Sequence, residues 1–203
     1  MSGPAFGAPG PAPAAALFAR ARRATGGAYL RAEAAFREAG AAALAWLDSA
    51  PRVEDPVDPL QAAVFRALLS GGAATGDDAL RYLHGIGEDQ REMPNPVPLP
   101  GRVAEKLRFH FGGAPAAFLA LRLAREPGWA GWMAEGVAEY LALAADPRTL
   151  PALARVVATT RDATLRNAAR RAIGAFEPGS AVTAALNEAI FQARRAPRAV
   201  EEG

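Results

Sequence analysis

The sequence predicts an all-α protein in which helices are stacked in pairs. About half of the residues (51%) are hydrophobic, and most of these are Ala and Leu, which favour helix over strand. The adjacent segments 114–143 and 146–176 repeat each other at a spacing of 32 residues without a gap. Each copy holds two helical periods, and a repeat of this length is typical of an α-solenoid.

The repeat can be followed from residue to residue. Phe118 falls on Leu150, Met133 on Leu165, Gly136 on Ala168 and Leu141 on Ile173. In each copy a first helix is expected to open near Pro115 or Pro147, and a second near Trp129 or Asp162. We expect Leu153, Leu165 and Ile173 to be buried between the helices of their unit.

Helical spacing and breaker residues define the other elements. Gly26-Gly27, Gly40 and Gly71-Gly72 end helices, whereas Asp58 before Pro59 and Thr75 before Asp78 predict N-terminal caps. Asp146 before Pro147 predicts a further cap. The predicted helices outside the repeat cover 13–25, 28–39, 41–49, a stretch from Pro59, a stretch from Asp77, 102–111 and a capping helix over 180–194.

Three regions are expected along the chain. Residues 1–12 are rich in Pro, Gly and Ala and predict a disordered lead, 13–195 form the helical repeat domain, and 196–203 form a frayed tail. The prolines within 93–101 exclude helix there and predict either a plain spacer or a recognition loop.

Composition excludes some classes of function. The chain has no Cys, so disulfides and thiolate chemistry are excluded, and it has no apolar run of 18 residues, so no transmembrane helix is expected. The N-terminus does not resemble a signal peptide, and a cytoplasmic location follows by default.

Charge is unevenly distributed although the net charge is only +2. Residues 48–92 contain nine acidic and four basic residues, whereas 148–198 contain nine Arg against Asp162, Glu177 and Glu188. Such a polarised surface steers a charged partner or is simply a solvated outer face.

The segment 146–176 resembles the HEAT-like repeat family in its bacterial, PBS-lyase HEAT-like form. The residues that carry the resemblance are Asp146-Pro147-Arg148, Leu150-Pro151-Ala152-Leu153, Asp162, Leu165-Arg166, Ala168-Ala169 and Ala172-Ile173-Gly174. The preceding unit matches more loosely, and 34–69 and 77–111 look like degenerate units.

The resemblance implies a short right-handed α-solenoid whose second helices line a concave, partner-binding face. Members of the family mostly act as non-enzymatic scaffolds and adaptors. Some are lyase or chaperone subunits for bilin-carrying proteins, and some relatives bind DNA. A scaffold that binds a protein partner is the leading expectation, with a nucleic-acid-binding protein and a chromophore-lyase or chaperone subunit as alternatives.

No catalytic motif, cofactor site or metal site is expected. His84 and His110 lack neighbours at ligand spacing, so both are interpreted as core or semi-buried structural residues. The Gly-rich stretch 71–76 has no Lys and joins two helices, so it is interpreted as a linker rather than as a phosphate loop.

The candidates for protein binding lie on the second helices of the two repeat units. They are Trp132, Glu135, Glu139, Asn167, Arg170 and Arg171. Spacings of three and four residues place Trp132, Glu135 and Glu139 on one helical face. Trp132 replaces a polar position of the repeat, so it is either a core residue or an exposed anchor.

The nucleic-acid alternative depends on three arginines, Arg166, Arg170 and Arg171, which could follow a phosphate backbone. A competing explanation is structural, because Arg171 lies one repeat after Glu139 and the two side chains can pair across the stack. No aromatic residues interleave with these arginines, as binding of single strands would require.

Overall fold

The structure, a computed structural model, describes residues 11–49, 55, 57–71, 74–92, 99–125, 129 and 131–176, and most of these residues lie in helices. The described helices are α1 (Pro11–Arg23), α2 (Gly26–Glu38), α3 (Gly40–Asp48), α4 (Asp58–Leu69), α5 (Ala74–Glu92), α6 (Pro100–Phe111), α7 (Ala116–Arg125), α8 (Gly131–Ala144), α9 (Leu150–Thr159) and α10 (Ala163–Gly174), with a 3-10 turn over Pro147–Thr149. These residues include no strand, which confirms the all-α prediction.

The predicted 32-residue repeat appears in the helix boundaries. The second helix of the first unit starts at Gly131, and the second helix of the next unit starts 32 residues later, at Ala163. Helix α7 packs against α8 and α9 against α10, while α7 also contacts α9 and α8 contacts α10. First helices therefore stack on first helices, and second helices on second helices.

The segment 77–111 extends this arrangement, since α5 contacts α6 and α7, and α6 packs against α8. The segment 34–69, by contrast, contains the end of α2, all of α3 and all of α4. It is thus three helical pieces rather than one pair. The predicted helix 180–194, the tail 196–203 and most of the predicted lead 1–12 lie outside the described residues.

Of the predicted caps at Asp58, Thr75 and Asp146, only the one at Asp146 holds, and Asp162 is a further cap that was not predicted. Asp146 accepts a hydrogen bond from the Arg148 backbone N–H at 3.0 Å, and Asp162 Oδ1 accepts from the N–H groups of Thr164 and Leu165. Asp58 makes no cap bond, because its carboxylate lies buried beneath α4. Thr75 lies inside α5, which begins at Ala74, so the predicted capping box there is wrong.

The predicted core residues of the last unit differ in burial. Leu153 is fully buried, as expected, whereas Leu165 and Ile173 are only half-buried and pack at the edge of the core. These two side chains belong to α10, whose fully buried residues are Ala168, Ala169 and Ala172. The face of α10 that meets the core is therefore the face that carries these three alanines.

An aromatic cluster fills the core formed by the four N-terminal helices. The rings of Phe36 and Phe65 lie 4.8 Å apart, and Phe18 contacts both of them as well as Trp46. Helix α4, which carries Phe65, also packs against α7. The aromatic core is thereby continuous with the core of the helix pairs.

A buried ionic cluster joins the N-terminal helices to the repeat units. Arg125, at the end of α7, is completely buried and donates to the backbone carbonyl of Arg22 in α1. One of its Nη atoms lies 3.6 Å from the Asp58 carboxylate of α4 and 3.7 Å from Asp55. Arg155 of α9 also pairs with Asp55. Four separate segments of the chain therefore meet at Arg125.

Burial alters the proton affinities in this cluster. It lowers the pKa of Arg125 to about 10, with Arg155 acting in the same direction and both carboxylates opposing it. Burial also raises the pKa of Asp58, helped by Asp55 and opposed by Arg125 and Arg22. In both groups the effect of burial exceeds that of the opposite charges, so the ion pairs offset only part of the cost of burying these charges.

A second buried pair lies nearby, between α7 and α2. Arg122 donates to Glu33 at 2.9 Å, and both side chains are almost completely buried. The Arg122 guanidinium lies 5.0 Å from the ring centre of Phe118 and 6.0 Å from that of Tyr29. Cation–π contacts and the carboxylate together compensate the lost hydration of this cation.

Helices α6 and α8 approach each other closely at Gly136. A Cβ atom at this position would lie 2.8 Å from the Cβ of Val103 and 3.3 Å from the Pro100 carbonyl oxygen. The same two helices are tied by Tyr140, whose hydroxyl donates to the Gly112 carbonyl at 2.9 Å. Only Gly fits this crossing without movement of α6.

The first prediction concerns Arg125. Arg125→Met should lower the free energy of unfolding by about 3–5 kcal/mol, because it leaves buried carboxylates with less compensation. Urea unfolding followed by circular dichroism measures this. Arg171→Met is the matched control and should change stability by less than about 1 kcal/mol, since Arg171 forms a solvent-accessible pair. Equal effects of the two variants would contradict the role assigned to the cluster.

The second prediction compares two glycines inside helices. Gly136→Ala should destabilise the protein by about 1–3 kcal/mol, because the new methyl group overlaps Val103. Gly85→Ala in α5 has no atom within 4 Å of its new Cβ and should stabilise by up to about 1 kcal/mol through helix propensity. Thermal melts of both variants give the sign of each change, and a stabilising Gly136→Ala would rule out the close crossing.

Candidate functional site

A groove runs between the second helices α6, α8 and α10. It has a volume of about 310 Å³. The residues that line it are Gly101, Ala104, Glu105, Glu139, Ala142, Leu143, Ala168, Arg171 and Ala172. The groove is therefore a product of the helix-pair stack, since each of its three walls is the second helix of a pair.

Small side chains create the groove. Ala104, Ala142, Ala168 and Ala172 supply most of its floor, and a Cβ added to Gly101 would come within 3.4 Å of a Glu139 carboxylate oxygen. Larger residues at these positions would fill the space between neighbouring helices. The floor is consequently apolar, shallow and formed by well-anchored helices.

Charged side chains flank this apolar floor. Glu139 of α8 accepts a hydrogen bond from Arg171 of α10 at 3.2 Å, which confirms the pairing across the repeat that the sequence suggested. Glu105 of α6 pairs with Arg102 at 3.1 Å, and both of these side chains are exposed. The groove thus has an apolar centre with an ionic rim, as protein interfaces commonly do.

Glu135 lies one turn before Glu139 on α8 and close to Asp162. Burial raises the pKa of Glu135, and the negative charges of Asp162 and Glu139 raise it further. The positive charge of Arg171 acts against this shift. Arg171 thus acts on both glutamates of α8, on Glu139 through a hydrogen bond and on Glu135 through its charge.

Apolar side chains remain exposed on the same two helices, α6 and α8. Leu143, in the groove wall, is 49% exposed, and Phe109 near the end of α6 is 85% exposed. Leu143 therefore adds an exposed apolar side chain to the groove lining, whereas Phe109 lies outside that lining.

Only two of the six predicted binding residues line the groove. Glu139 and Arg171 line it, whereas Trp132 does not. Trp132 is half-buried against the core, and its ring reaches to 3.9 Å from the position of a Cβ on Gly87 in α5. Asn167 and Arg170 are exposed on α10, and Glu135 is half-buried.

The sequence analysis missed most of the groove. The overlooked residues are Gly101, Ala104, Glu105, Ala142, Leu143, Ala168 and Ala172. Ala and Gly carry no chemical signal of their own, and α6 belongs to the degenerate unit 77–111, in which the repeat pattern is weak. The available signal was the small side chains at Ala142 and Ala168, on the same stripe as Glu139 and Arg171.

Two of the three arginines of the nucleic-acid alternative, Arg166 and Arg171, are engaged by the protein itself. Arg166 donates to the Thr160 backbone carbonyl and is half-buried, and Arg171 pairs with Glu139. Carboxylates adjacent to Arg171 would also repel phosphate. Arg170 is exposed on the same helix.

The two histidines differ from their expected placement, since His84 and His110 are both exposed. The ring of His110 contacts Tyr82, Phe109 and Phe111 at the surface of α5 and α6. Within the residues that the structure describes, no group of His, Asp and Glu is placed to hold a metal ion. No helix in this part of the chain combines the length and apolar character needed to cross a bilayer.

Comparisons with models of protein families, with curated proteins and with solved structures found no match for this chain. What the groove can bind therefore follows from its own residues: an apolar floor, one partly exposed leucine and a rim on which carboxylates outnumber guanidinium groups.

The third prediction tests the electrostatics of the rim. Arg171→Gln should raise the pKa of Glu135 further, because it removes the cation that opposes the shift. An NMR titration of the side-chain carboxyl carbon measures this pKa. Arg161→Gln, which changes an exposed arginine in the turn before α10, is the control and should leave the Glu135 pKa unchanged. An unchanged Glu135 pKa in Arg171→Gln would place Arg171 away from the carboxylates.

Proposed function

We propose that this chain is a non-enzymatic, HEAT-like scaffold or adaptor that binds a protein partner on the face formed by its second helices. The proposal includes a right-handed solenoid of helix pairs with a C-terminal capping helix. Its support is the repeated helix pair, in which α6, α8 and α10 lie side by side.

The observation that carries the proposal is the groove between these helices. Its volume of about 310 Å³ is at the lower end of the range for small-molecule pockets, and its floor offers few polar groups to orient a small ligand. An apolar side chain of a protein partner would fit over the alanines and against Leu143, while Glu105, Glu139 and Arg171 contact polar groups around it.

The arrangement of charges favours a protein over a nucleic acid. A surface that binds a phosphate backbone needs several unopposed cations, because neutralised phosphates supply most of the affinity. Here Arg171 is neutralised by Glu139, and Glu135 lies beside them. A partner that carries both apolar and basic side chains suits this rim better than a polyanion does.

The fourth prediction is a site-specific cross-link. A photo-reactive amino acid at Leu143 should cross-link a protein partner in native cells, because this side chain is exposed inside the groove. The matched control places the same group at Leu30, which is 37% exposed on α2, outside the groove. Mass spectrometry identifies the linked species.

Ala142→Trp, which fills the groove, should reduce the Leu143 cross-link at least about tenfold while leaving the circular dichroism spectrum unchanged. Cross-links that are as abundant from Leu30 as from Leu143, or that capture nucleic acid instead of protein, would contradict the proposed function.

A further inference from the structure

The groove has an acidic excess that any occupant has to match. Its lining contains two carboxylates, Glu105 and Glu139, and one guanidinium, Arg171. Outside the lining, Glu135 and Asp162 are two further carboxylates near the start of α8 and α10, and Arg102 is a further cation that pairs with Glu105. The ion pairs Glu105–Arg102 and Glu139–Arg171 are solvent-accessible, so an incoming guanidinium can replace either cation at little cost.

The chain itself contains a segment of complementary chemistry. Residues 191–198, which lie outside the described residues, read FQARRAPR. The segment combines one large apolar residue, Phe191, with three arginines, Arg194, Arg195 and Arg198, and it has no acidic residue. An aromatic side chain suits the alanine floor beside Leu143, and the arginines suit the carboxylates around it.

The length of the intervening chain permits this contact. The last described residue is Phe176, just beyond the end of α10, and fourteen residues separate it from Phe191. Fourteen residues span about 21 Å as a helix and up to about 50 Å when extended. Helix α10 has 12 residues and is about 18 Å long, so the segment can return along α10 to the groove.

From the acidic apolar groove, the basic apolar segment and the length between them, we infer that residues 191–198 dock in the groove of the same chain and compete with the protein partner. This inference rests on the proposed function, because it makes the segment a regulator of that binding site. A tether of this length supplies a millimolar effective concentration, so a weak contact suffices to occupy the groove.

The fifth prediction is a binding experiment with a defined probe. The probe is a fluorescein-labelled peptide of residues 188–200, EAIFQARRAPRAV, and fluorescence polarisation follows its binding to the full chain and to a chain that ends at Ile190. The shortened chain should bind the peptide, and the full chain should bind it at least about tenfold more weakly, because its tethered segment competes. Circular dichroism melts verify that both chains are folded.

Matched variants place the contact. Leu143→Glu in the shortened chain should abolish binding, whereas Leu30→Glu on α2 should leave it intact. A peptide with R194E, R195E and R198E should fail to bind. The full chain with the same three changes keeps the whole predicted helix 180–194, which the shortened chain interrupts, and it should bind the unmodified peptide as well as the shortened chain does.

Three results would overturn the inference: equal binding by the full and shortened chains, no binding to the shortened chain at millimolar concentration, or binding that Leu143→Glu does not change. The Leu143 cross-link separates this inference from the proposed function. A partner cross-link without a link to 191–198 supports the scaffold alone, and a link only to 191–198 of the same molecule supports the internal contact alone. Cross-linked dimers that increase with concentration would assign the groove to a second copy instead.

Discussion

The burial of Arg125 is the constraint on which the arrangement of the helices depends. A guanidinium that is completely removed from water has to find compensation inside the protein, and here it comes from α1, from α4 and from Asp55. Arg155 adds α9 to the same cluster through Asp55. A shift of any of these segments would leave a buried charge without compensation. The cluster thus fixes how the N-terminal helices sit against α7 and α9.

The groove depends on this fixed arrangement together with the close packing of the second helices. Because α7 is held by its charged end, its partner α8 is held too, and α6 and α10 pack on either side of α8. Gly136 sets how near α6 can come, and the alanines of α10 set the approach on the other side. The groove is the space left above these small side chains, so its shape is determined by the backbone more than by flexible side-chain tips.

The sequence predicted the positions of the helices well, because the residues that start, continue and end a helix lie within or next to it. Helical spacing, Pro and Gly located most of the helices, and Gly40 separates α2 from α3 with a positive φ of 55°, although it is itself the first residue of α3. The 32-residue period predicted the Glu139–Arg171 contact, because equivalent positions of adjacent repeats become neighbours. It misplaced Leu165 and Ile173, since a period does not specify which face of α10 meets the core.

The ionic cluster could not be predicted from the same signals. Asp58 before Pro59 has the pattern of a cap, and only the position of Arg125 explains why its carboxylate is buried instead. Arg125 itself is one of many arginines in an arginine-rich chain. The groove floor could not be predicted from the sequence either. Alanine is abundant throughout the chain, and an individual alanine indicates a groove only when the positions of α6, α8 and α10 are known.

The ionic cluster also has a consequence for the order of folding. Arg125 and Arg22 are 103 residues apart in the chain, Arg155 and Asp55 are 100 apart, and Arg122 and Glu33 are 89 apart. A simple repeat array folds through contacts between neighbours, and its nucleus can form at any unit. This chain cannot complete its core in that way, because closing these long loops costs entropy before the ion pairs form. Helix α1 contacts Arg125 of α7, which is synthesised about 100 residues later. The N-terminal third of the chain therefore cannot reach its final packing before α7 has left the ribosome.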